Sequence, residues 1–455
     1  MKKKSKFTIL GSGLAGLSAS YHLGHNNCEI FEKNNYAGGH IYSEKRDGFT
    51  WDIGPHVSFT SNEYVKNLFN ESVEGNYLEQ VVNVSNYYKG HWIPHPAQTN
   101  LWAVPQPLRS QCLKSFLESR SKNNNNSEHK TYADWLDKSY GKVFSEHFPT
   151  KYTKKYWACD PSDLATDWIG NRMHYPEVDD VKQGFYKKPN ETAHYIKTIR
   201  YPIKGGYINF AKNLMRSSFI NFNHEVISVD FANKIISFSN GNQHHYEKLI
   251  STIPLPELIK MSLNAPQEII SDAEKLSCSE LLLINVTAKH KAKLPYHWMY
   301  IYDEDKLSTR INHLDLLSPG NVPNGYTGLQ VEVYSSKYKK IDLTPGEIEK
   351  KVHDELKTMG LIEEVNTSHI IKVPYANVIF DNKRKNAQEK IFIFLEKFGL
   401  KREIDDLNPM TNWKNISNIS FGDIILAGRY GQWKYFWTDD CVLRGMIIGK
   451  SCSVK

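Results

Sequence analysis

The residues with the clearest chemical meaning lie near the start of the chain, where a short apolar run ends in a glycine-rich turn. Residues 7–10 are followed by Gly11, Gly13 and Gly16 in the spacing G-x-G-x-x-G, and Glu32 lies in the next apolar run. In this pattern the first glycine permits a tight turn, the second lets the backbone approach a pyrophosphate, and the third lets a helix pack on the strand. The start of that helix offers N–H groups and a positive dipole end to an anion, and Glu32 can accept hydrogen bonds from ribose hydroxyls. The pattern predicts a dinucleotide site rather than an ordinary strand, turn and helix, which would not need the acid.

A second group of glycines and a histidine follow, and they indicate which dinucleotide binds. The pair Gly38-Gly39 comes soon after the acid and makes another close backbone approach, which nicotinamide-binding units do not need there. Asp52, Gly54 and His56 then form a D-x-G-x-H segment. With these motifs the chain resembles the flavoprotein superfamily of amine oxidases and protoporphyrinogen oxidases, and most closely its UDP-galactopyranose mutase-like members. The resemblance implies that the cofactor is FAD.

The resemblance extends through most of the chain, in the blocks 7–60, 149–176, 201–229, 373–384 and 423–446. It implies that Arg429 touches the FAD pyrophosphate and that the turn of Asp439 and Asp440 meets the ribityl chain and the flavin. It also implies that the strand of Val226 meets the adenine through its main chain. The residues expected to bind FAD are Gly11, Gly13, Leu14, Ala15, Gly16, Glu32, Lys33, Gly38, Gly39, His40, Gly54, Pro55, His56, Val226, Gly428, Arg429, Asp439 and Asp440.

Three residues are the candidates for catalysis: His56, Arg172 and Tyr435. By the resemblance, His56 lies over the flavin, where a histidine can hydrogen-bond the ring or transfer a proton. Arg172 stands where the mutases carry an arginine that holds the substrate diphosphate bidentately. Tyr435 is a candidate substitute contact for an anion.

The chain also departs from the mutase pattern at positions that matter for a diphosphate. The second mutase arginine is replaced by Pro176, and the second mutase histidine by Phe59. The mutase tyrosines that touch the diphosphate align with Trp433 and Phe436. The possible substitutes are Lys434, Tyr435, Arg200 and Arg310.

Elements that are far apart in the sequence must bring these residues together, so we expect a discontinuous organisation. The predicted fold class is α/β, with a Rossmann-like, doubly wound parallel sheet. Residues 1–95, 200–265 and 385–455 are predicted to form the FAD-binding domain, residues 96–199 a mainly helical insertion, and residues 266–384 an α+β substrate domain with an antiparallel sheet. Such interleaving places the active site at an interface between domains.

Local patterns predict several of these elements. Apolar runs indicate strands at residues 248–253, 279–286 and 327–334. Thr131 is predicted to cap a helix that runs to Tyr140. The segment Tyr-Pro-Ile-Lys-Gly-Gly-Tyr at residues 201–207 indicates the return of the chain to the cofactor domain.

Composition bears on the class of protein and of partner. A chain of 455 residues is too long for one compact core, and its charge of +7 comes partly from the lysines at residues 2–4. No stripe of basic and aromatic residues recurs, so we expect a small-molecule substrate, with a nucleotide sugar as one candidate, and no nucleic acid. The six cysteines are scattered without C-x-x-C, which is typical of a cytoplasmic protein and suggests no metal site. No apolar run approaches the ~18–20 residues that a membrane span needs. The asparagine run at residues 123–126 is predicted to be a loop. A homodimer is possible on this composition.

Three functions of different classes fit these observations. The first is an FAD-dependent oxidoreductase that acts on a C–N or C–O bond of a small molecule, such as a sugar nucleotide in cell-surface polysaccharide biosynthesis. The second is a mutase-like isomerase that interconverts pyranose and furanose through a flavin N5–sugar adduct, with no net redox change. The third is a non-catalytic flavin-binding protein. The replaced diphosphate residues favour the first.

Overall fold

The computed structural model of the chain describes residues 5–122, 129–190, 196–413 and 419–452. The lysine run at residues 2–4 and the asparagine run at residues 123–126 lie outside these ranges. The strands are β1 Phe7–Leu10, β2 Cys28–Phe31, β3 Ser43–Arg46, β4 Phe49–Asp52, β5 Tyr77–Val81, β6 Val84–Tyr88, β7 His91–Pro94, β8 Thr198–Pro202, β9 Ile220–Asn221, β10 Val226–Asp230, β11 Ile235–Phe238, β12 Gln243–His245, β13 Lys248–Ser251, β14 Ser277–Ala288, β15 Trp298–Ile301, β16 Arg310–His313, β17 Thr327–Ser335, β18 Thr367–Ile379 and β19 Ile424–Leu426. The α-helices are α1 Leu14–Leu23, α2 Glu63–Ser72, α3 Leu108–Lys122, α4 Tyr132–Tyr140, α5 Lys142–His147, α6 Pro149–Tyr156, α7 Val178–Tyr186, α8 Lys212–Met215, α9 Leu255–Lys260, α10 Gln267–Lys275, α11 Leu314–Leu317, α12 Pro345–Thr358, α13 Arg384–Glu396, α14 Gly428–Gly431 and α15 Thr438–Cys452.

A five-stranded parallel sheet carries the amino-terminal glycine turn. Its order is β19-β13-β1-β2-β9, and every described neighbouring pair is parallel. All four residues of β1 are buried, as expected for a strand of a parallel sheet that is covered on both faces. The chain passes from β1 to β2 on one side and returns to β13 on the other, so the topological switch point lies beside β1. The predicted α/β, doubly wound fold is confirmed.

A seven-stranded sheet forms the second large layer, in the order β18-β14-β17-β16-β15-β6-β7. Its strands pair antiparallel except β6 and β15, which are parallel. The predicted strands at 279–286 and 327–334 are confirmed as parts of β14 and β17. The predicted domain boundaries stay a prediction. The structure differs from them in one respect, because β6 and β7 precede residue 95 yet extend this second sheet.

Helices α3 to α7 form a separate helical part, which lies between β7 and β8 in the sequence. The predicted cap of α4 is confirmed, since Thr131 Oγ1 accepts a hydrogen bond from the backbone N–H of Asp134 at 3.2 Å. The Asp134 carboxylate in turn accepts one from the backbone N–H of Thr131 at 3.0 Å. This reciprocal pair satisfies two N–H groups that a helix start otherwise leaves without partners. Within the described ranges, no helix combines the length and the apolar character that crossing a bilayer requires.

The last helix, α15, lies directly against α1 behind the glycine turn. A Cβ on Gly445 would come within 2.5 Å of the backbone N of Ala19, and a Cβ on Gly449 would lie 2.7 Å from the backbone C of His22. Such distances leave no room for a methyl group, so the two glycines set how closely the helices cross. The crossing joins the carboxyl-terminal part of the chain to the amino-terminal turn.

We predict that Gly445→Ala lowers the free energy of unfolding by about 1–3 kcal/mol, because the added methyl group forces the two helices apart. Chemical denaturation followed by circular dichroism measures this change. Gly346→Ala in α12 is the matched control, because a Cβ there meets no atom within 4 Å. That variant should gain about 0.5–1 kcal/mol from helix propensity. Equal effects of the two substitutions would contradict the close crossing.

Candidate functional site

A cavity of about 1090 Å³ lies where the carboxyl ends of the parallel strands face the seven-stranded sheet and the helical part. Gly11 after β1, Thr252 after β13 and Gly428 after β19 line one side of it. Tyr152 of α6 and Arg310 of β16 line the other. The cavity is therefore at the switch point, where open α/β sheets bind their ligands. Of the predicted site residues, all except Gly16 and Asp440 line it.

Each of the three glycines of the first turn meets a different structural requirement. Gly11 has a φ of +96°, and a Cβ there would collide with Thr252 Oγ1. A Cβ on Gly16 would collide with the carbonyl oxygen of Gly11, so this residue allows α1 to approach the turn and does not face the cavity. Around Gly13, by contrast, a Cβ would meet no atom of the described residues within 4 Å. This open space beside the start of α1 is where an anion can approach the backbone N–H groups.

A second glycine loop packs on the first. The backbone N–H of Gly38 donates to the carbonyl oxygen of Ser12 at 2.9 Å. A Cβ on Gly39 would lie 3.1 Å from the Cα of Gly13. The two loops therefore form one continuous backbone wall, which side chains larger than hydrogen would push apart.

Glu32 is 5% exposed and directly follows β2 at the edge of the cavity. Its Oε2 accepts hydrogen bonds from the backbone N–H of Ser12 at 2.9 Å and from the Ser12 hydroxyl at 2.7 Å. Its Oε1 accepts from the backbone N–H and the side-chain amide of Asn34, at 3.0 and 2.9 Å. These donors use the four acceptor positions of a carboxylate. A ribose hydroxyl can therefore bind here only by replacing one of the two side-chain donors.

Two histidines in the cavity are held in the neutral form. Enclosure in the cavity lowers the pKa of His56 to about 4, and the charges of Arg310 and Arg429 act in the same direction. Enclosure likewise lowers the pKa of His40 to about 3. The Nδ1 of His56 lies 2.8 Å from the carbonyl oxygen of Gly54, which can only accept, so Nδ1 carries the proton. The Nε2 of His56 therefore has the free lone pair.

Arg429 places a partly buried positive charge in the lining of the cavity. One of its terminal nitrogens donates to the Asn377 side chain at 3.0 Å, and its guanidinium lies 5.3 Å from the centre of the Tyr435 ring. Its Nε is buried and has no hydrogen-bond partner among the described residues. No described carboxylate comes within 4.0 Å of it. The cavity thus contains a cation whose charge the described part of the protein does not neutralise.

Arg172 lines the cavity, but its guanidinium is largely engaged by the protein. It donates to the carbonyl oxygen of Tyr435 at 2.6 Å, lies 3.5 Å from a carboxylate oxygen of Asp440, and stacks 3.5 Å from the centre of the Trp437 ring. Asp440 was predicted to face the cavity, but it does not line it. Its carboxylate instead accepts hydrogen bonds from the indole N–H of Trp413 and the backbone N–H of Trp437, and so holds the start of α15.

The predicted substitutes for the diphosphate contacts divide into two groups. Tyr435 and Arg310 line the cavity, whereas Lys434 and Arg200 do not. The Lys434 ammonium is buried and donates to the carbonyl oxygen of Asp405 at 2.7 Å. Arg200 donates to a backbone carbonyl at 2.9 Å. Both are committed to contacts between segments that are distant in sequence, which spacing cannot reveal.

The far wall of the cavity is rich in tyrosine, which the sequence analysis missed. The tyrosines that line this wall from α6, from β15 and the residue after it, and from β17 are Tyr152, Tyr156, Tyr300, Tyr302 and Tyr334. The Tyr152 and Tyr300 rings are 5.1 Å apart, as are those of Tyr156 and Tyr334. The available signal was spacing, since the two tyrosines of α6 are four residues apart and share a helix face.

An ion pair lies in the same wall. Arg310 of β16 and Glu332 of β17 are directly opposite in the sheet and form two hydrogen bonds, of 2.8 and 2.6 Å. The hydroxyl of Tyr334 donates to the same carboxylate at 2.9 Å. Glu332 is fully buried, and these donors neutralise it.

Comparison with known families identifies the chain. The family described as flavin containing amine oxidoreductase matches residues 14–376, which is well over half of the sequence. The chain belongs to this family. The resemblance seen in the motifs is thereby confirmed, and the protein is a flavoenzyme whose cofactor is FAD.

Solved structures share the fold of this chain. This flavin amine oxidoreductase is similar to reduced UDP-galactopyranose mutase with a TM-score of 0.86 and 22% identity, over 98% of this chain and 95% of that one. It is similar to a putative protoporphyrinogen oxidase from Exiguobacterium sp. 255-15 with a TM-score of 0.71 and 14% identity, over 99% of both chains. At these identities the likeness shows the fold alone.

A curated relative matches over a shorter stretch. A 4,4'-diapophytoene desaturase (4,4'-diaponeurosporene-forming) of Staphylococcus aureus (strain Newman) is 32% identical over 111 residues, or 23% of this chain. The match spans about a fifth of the length of that relative, 22%.

The cavity of the flavin amine oxidoreductase fits FAD on its own geometry. The open space at Gly13 suits the pyrophosphate, and the unneutralised guanidinium of Arg429 suits a further negative charge of the cofactor or its ligand. Val226 and Glu32 line the end that suits the adenosine, while His56 and Asp439 line the part nearer the other sheet. These individual contacts remain predictions.

We predict that Gly13→Ala weakens FAD binding by about tenfold or more, which corresponds to about 1.4 kcal/mol. The methyl group would enter the space that the pyrophosphate needs, while the backbone of Gly13, with φ of −69° and ψ of 175°, accepts alanine without strain. Titration of flavin-free protein with FAD, followed by flavin fluorescence, measures the affinity. The melting temperature of the flavin-free variant should equal that of the wild type, and a large drop would show that Gly13 serves packing instead.

Proposed function

We propose that this flavoenzyme is an FAD-dependent oxidoreductase that oxidises a C–O bond of a neutral or anionic, hydroxylated small molecule. The sugar portion of a nucleotide sugar in cell-surface polysaccharide biosynthesis is the substrate that we favour. The observation that carries this proposal is the charge balance of the cavity wall opposite the parallel sheet. Among the described residues of that wall, the one carboxylate is Glu332, and Arg310 and Tyr334 already bind it.

This charge balance disfavours a protonated amine as substrate. An ammonium group bound at that wall finds no free carboxylate there and shares the cavity with the unneutralised guanidinium of Arg429. The other carboxylates of the described lining belong to other elements: Glu32 follows β2, Glu225 follows β9, Glu257 is in α9 and Asp439 is in α15. Bringing like charges together in an enclosed site of low dielectric is costly. A hydroxylated ring instead finds tyrosine hydroxyls that donate and accept, and aromatic faces on which an apolar ring face can stack.

The residues of the chain have separable roles in such an oxidation. When bound, FAD supplies the acceptor for the hydride that leaves the substrate carbon. His56 is positioned to take the hydroxyl proton at Nε2, because its Nδ1 is fixed as a donor to Gly54. The tyrosines of α6 and β15 orient the ring, and the Arg310–Glu332 pair fixes a substrate hydroxyl by charge-assisted hydrogen bonds.

A mutase-like isomerisation is the second candidate. The similarity to reduced UDP-galactopyranose mutase over nearly the whole of both chains favours it. Against it, Arg172 is engaged by Tyr435 and Asp440, and Arg310 is neutralised by Glu332, so a diphosphate finds fewer uncommitted cations than the number of arginines suggests.

Anaerobic mixing with candidate substrates separates these functions. We expect the oxidised flavin absorbance of the purified enzyme to bleach when a nucleotide sugar or a related hydroxylated compound is added. A mutase would instead need prior reduction with dithionite, and its flavin would remain reduced while the sugar isomerises. Primary amines serve as the control and should bleach the flavin far more slowly. Bleaching by amines alone would overturn the proposal, and no reaction with the whole panel would favour a non-catalytic flavin-binding protein.

The pH dependence tests the role of His56. Its pKa is lowered from 6.5 to about 4, so the base form is present at any pH well above 4 and is lost only as the pH falls toward that value. We therefore expect kcat/KM to stay level between about pH 5.5 and about pH 8 with respect to this group. A loss of kcat/KM centred near pH 6.5 in enzyme that still holds its full complement of FAD would contradict a neutral, enclosed His56.

Replacement of the same residue gives a complementary measurement. His56→Asn should lower kcat by about 100-fold or more, because it removes the general base. The side chain at position 56 stays polar in this variant, so the polarity of the site is largely kept. His245→Asn is the matched control, since His245 is exposed on β12 and does not line the cavity.

A further inference from the structure

The carboxylate of Asp52 binds three donors, one from the neighbouring strand β3 and two from residues 201–207, which are distant in sequence. The hydroxyl of Ser43 and the backbone N–H of Tyr207 donate to Oδ1 at 2.6 and 3.0 Å, and the hydroxyl of Tyr201 donates to Oδ2 at 2.6 Å. A Cβ on Gly206 would lie 2.9 Å from Oδ1. The motif at residues 201–207 therefore converges on this one carboxylate.

Asp52 is also connected to two walls of the FAD cavity. It is the last residue of β4, and the residues directly after it, which include His56, line the cavity. The hydroxyl of Tyr207 is 2.8 Å from Thr438 Oγ1, which belongs to the first residue of α15 and also lines the cavity. The Tyr207 and His56 rings are 5.5 Å apart.

Burying this carboxylate is costly to the fold. Asp52 is 4% exposed, and no Lys, Arg or His of the described ranges forms an ion pair with it. Moving a carboxylate out of water without a partner cation destabilises the folded state, and hydrogen bonds offset this penalty only in part. A protein with apolar side chains of the same shape at such a position is often as stable. What the carboxylate provides instead is a fixed geometry, because three donors on two oxygens can be satisfied in few arrangements.

We propose that Asp52 is a positioning residue for the cofactor, which holds the segment of His56 and the start of α15 in the arrangement that retains FAD. The ligand concerned is FAD itself, so this inference does not depend on the proposed substrate or reaction. Asp52 does not line the cavity and is expected to act through Tyr207, not by touching the flavin.

Ionisation of Asp52 gives this role a measurable pH dependence. Burial raises the pKa of Asp52 to about 6, which the hydrogen bonds from Ser43, Tyr201 and Tyr207 partly oppose. The titratable groups that face it are Tyr201 and Tyr207, and burial raises the pKa of both above the usual value. Above about pH 6 the ionised carboxylate accepts all three bonds as charge-assisted hydrogen bonds, whereas below it the neutral carboxyl group accepts the same donors more weakly and holds their segments less firmly. FAD should therefore be released faster as the pH falls below about 6.

The test measures the rate of FAD release from the purified holoprotein after dilution, by the rise of free-flavin fluorescence, between about pH 5 and about pH 8. Asp52→Asn should release FAD about tenfold faster than the wild type at the upper pH, and its rate should no longer change near pH 6. Tyr207→Phe keeps the N–H donor to Asp52 but removes the link to Thr438, and should release FAD about threefold faster or more. Both should change the visible circular dichroism of the bound flavin.

Asp315→Asn is the matched control. Asp315 in α11 accepts hydrogen bonds from the hydroxyl of Thr327 at 2.7 Å and from the backbone N–H of Ala292 at 3.2 Å, and it does not line the cavity. This variant should lower the melting temperature without changing FAD release. The inference is overturned if Asp52→Asn lowers the melting temperature but retains FAD as the wild type does. Should that variant fail to fold, unchanged release from Tyr207→Phe overturns it equally.

Discussion

The whole arrangement depends on two backbone segments that pass within van der Waals contact at one edge of a parallel sheet. The loop at Gly38-Gly39 crosses the turn at Gly13, and any side chain at the crossing would separate them. This contact leaves N–H groups facing an open space beside the start of α1, where negative charge is favoured. The close crossing of α1 and α15 then brings the carboxyl-terminal residues Gly428 and Arg429 to the same place.

Enclosure decides the electrostatics of the cavity that results. His40 and His56 stay neutral because the surrounding protein desolvates them, and Glu332 is tolerated because Arg310 and Tyr334 bind it. Arg429 is the exception, since no described carboxylate neutralises it. A site with neutral bases and one free guanidinium suits a cofactor or substrate that brings its own negative charge.

The cofactor side could be predicted because its signals are local. Strand, turn and acid occur within one βαβ unit, so the spacing of Gly11 to Glu32 already fixes their relative positions. Asp440, Lys434 and Arg200 lie outside the lining of the cavity, and spacing could not indicate this because only the fold brings their partners to them. The membership of β6 and β7 in the second sheet was missed for the same reason, as was the tyrosine wall, whose members come from one helix and two strands.

Interleaving also explains why a buried carboxylate is useful at Asp52. Apolar packing between segments tolerates small shifts, because it depends on area and hardly on direction. Hydrogen bonds weaken steeply with angle and distance, so donors from β3, β8 and residue 207 on one carboxylate specify how these segments sit. The cofactor wall is assembled from segments that are far apart in the sequence. A directional contact where these segments meet restricts them to one relative position. Burying that charge lowers the free energy of unfolding, and in return the hydrogen bonds fix the relative positions of the segments.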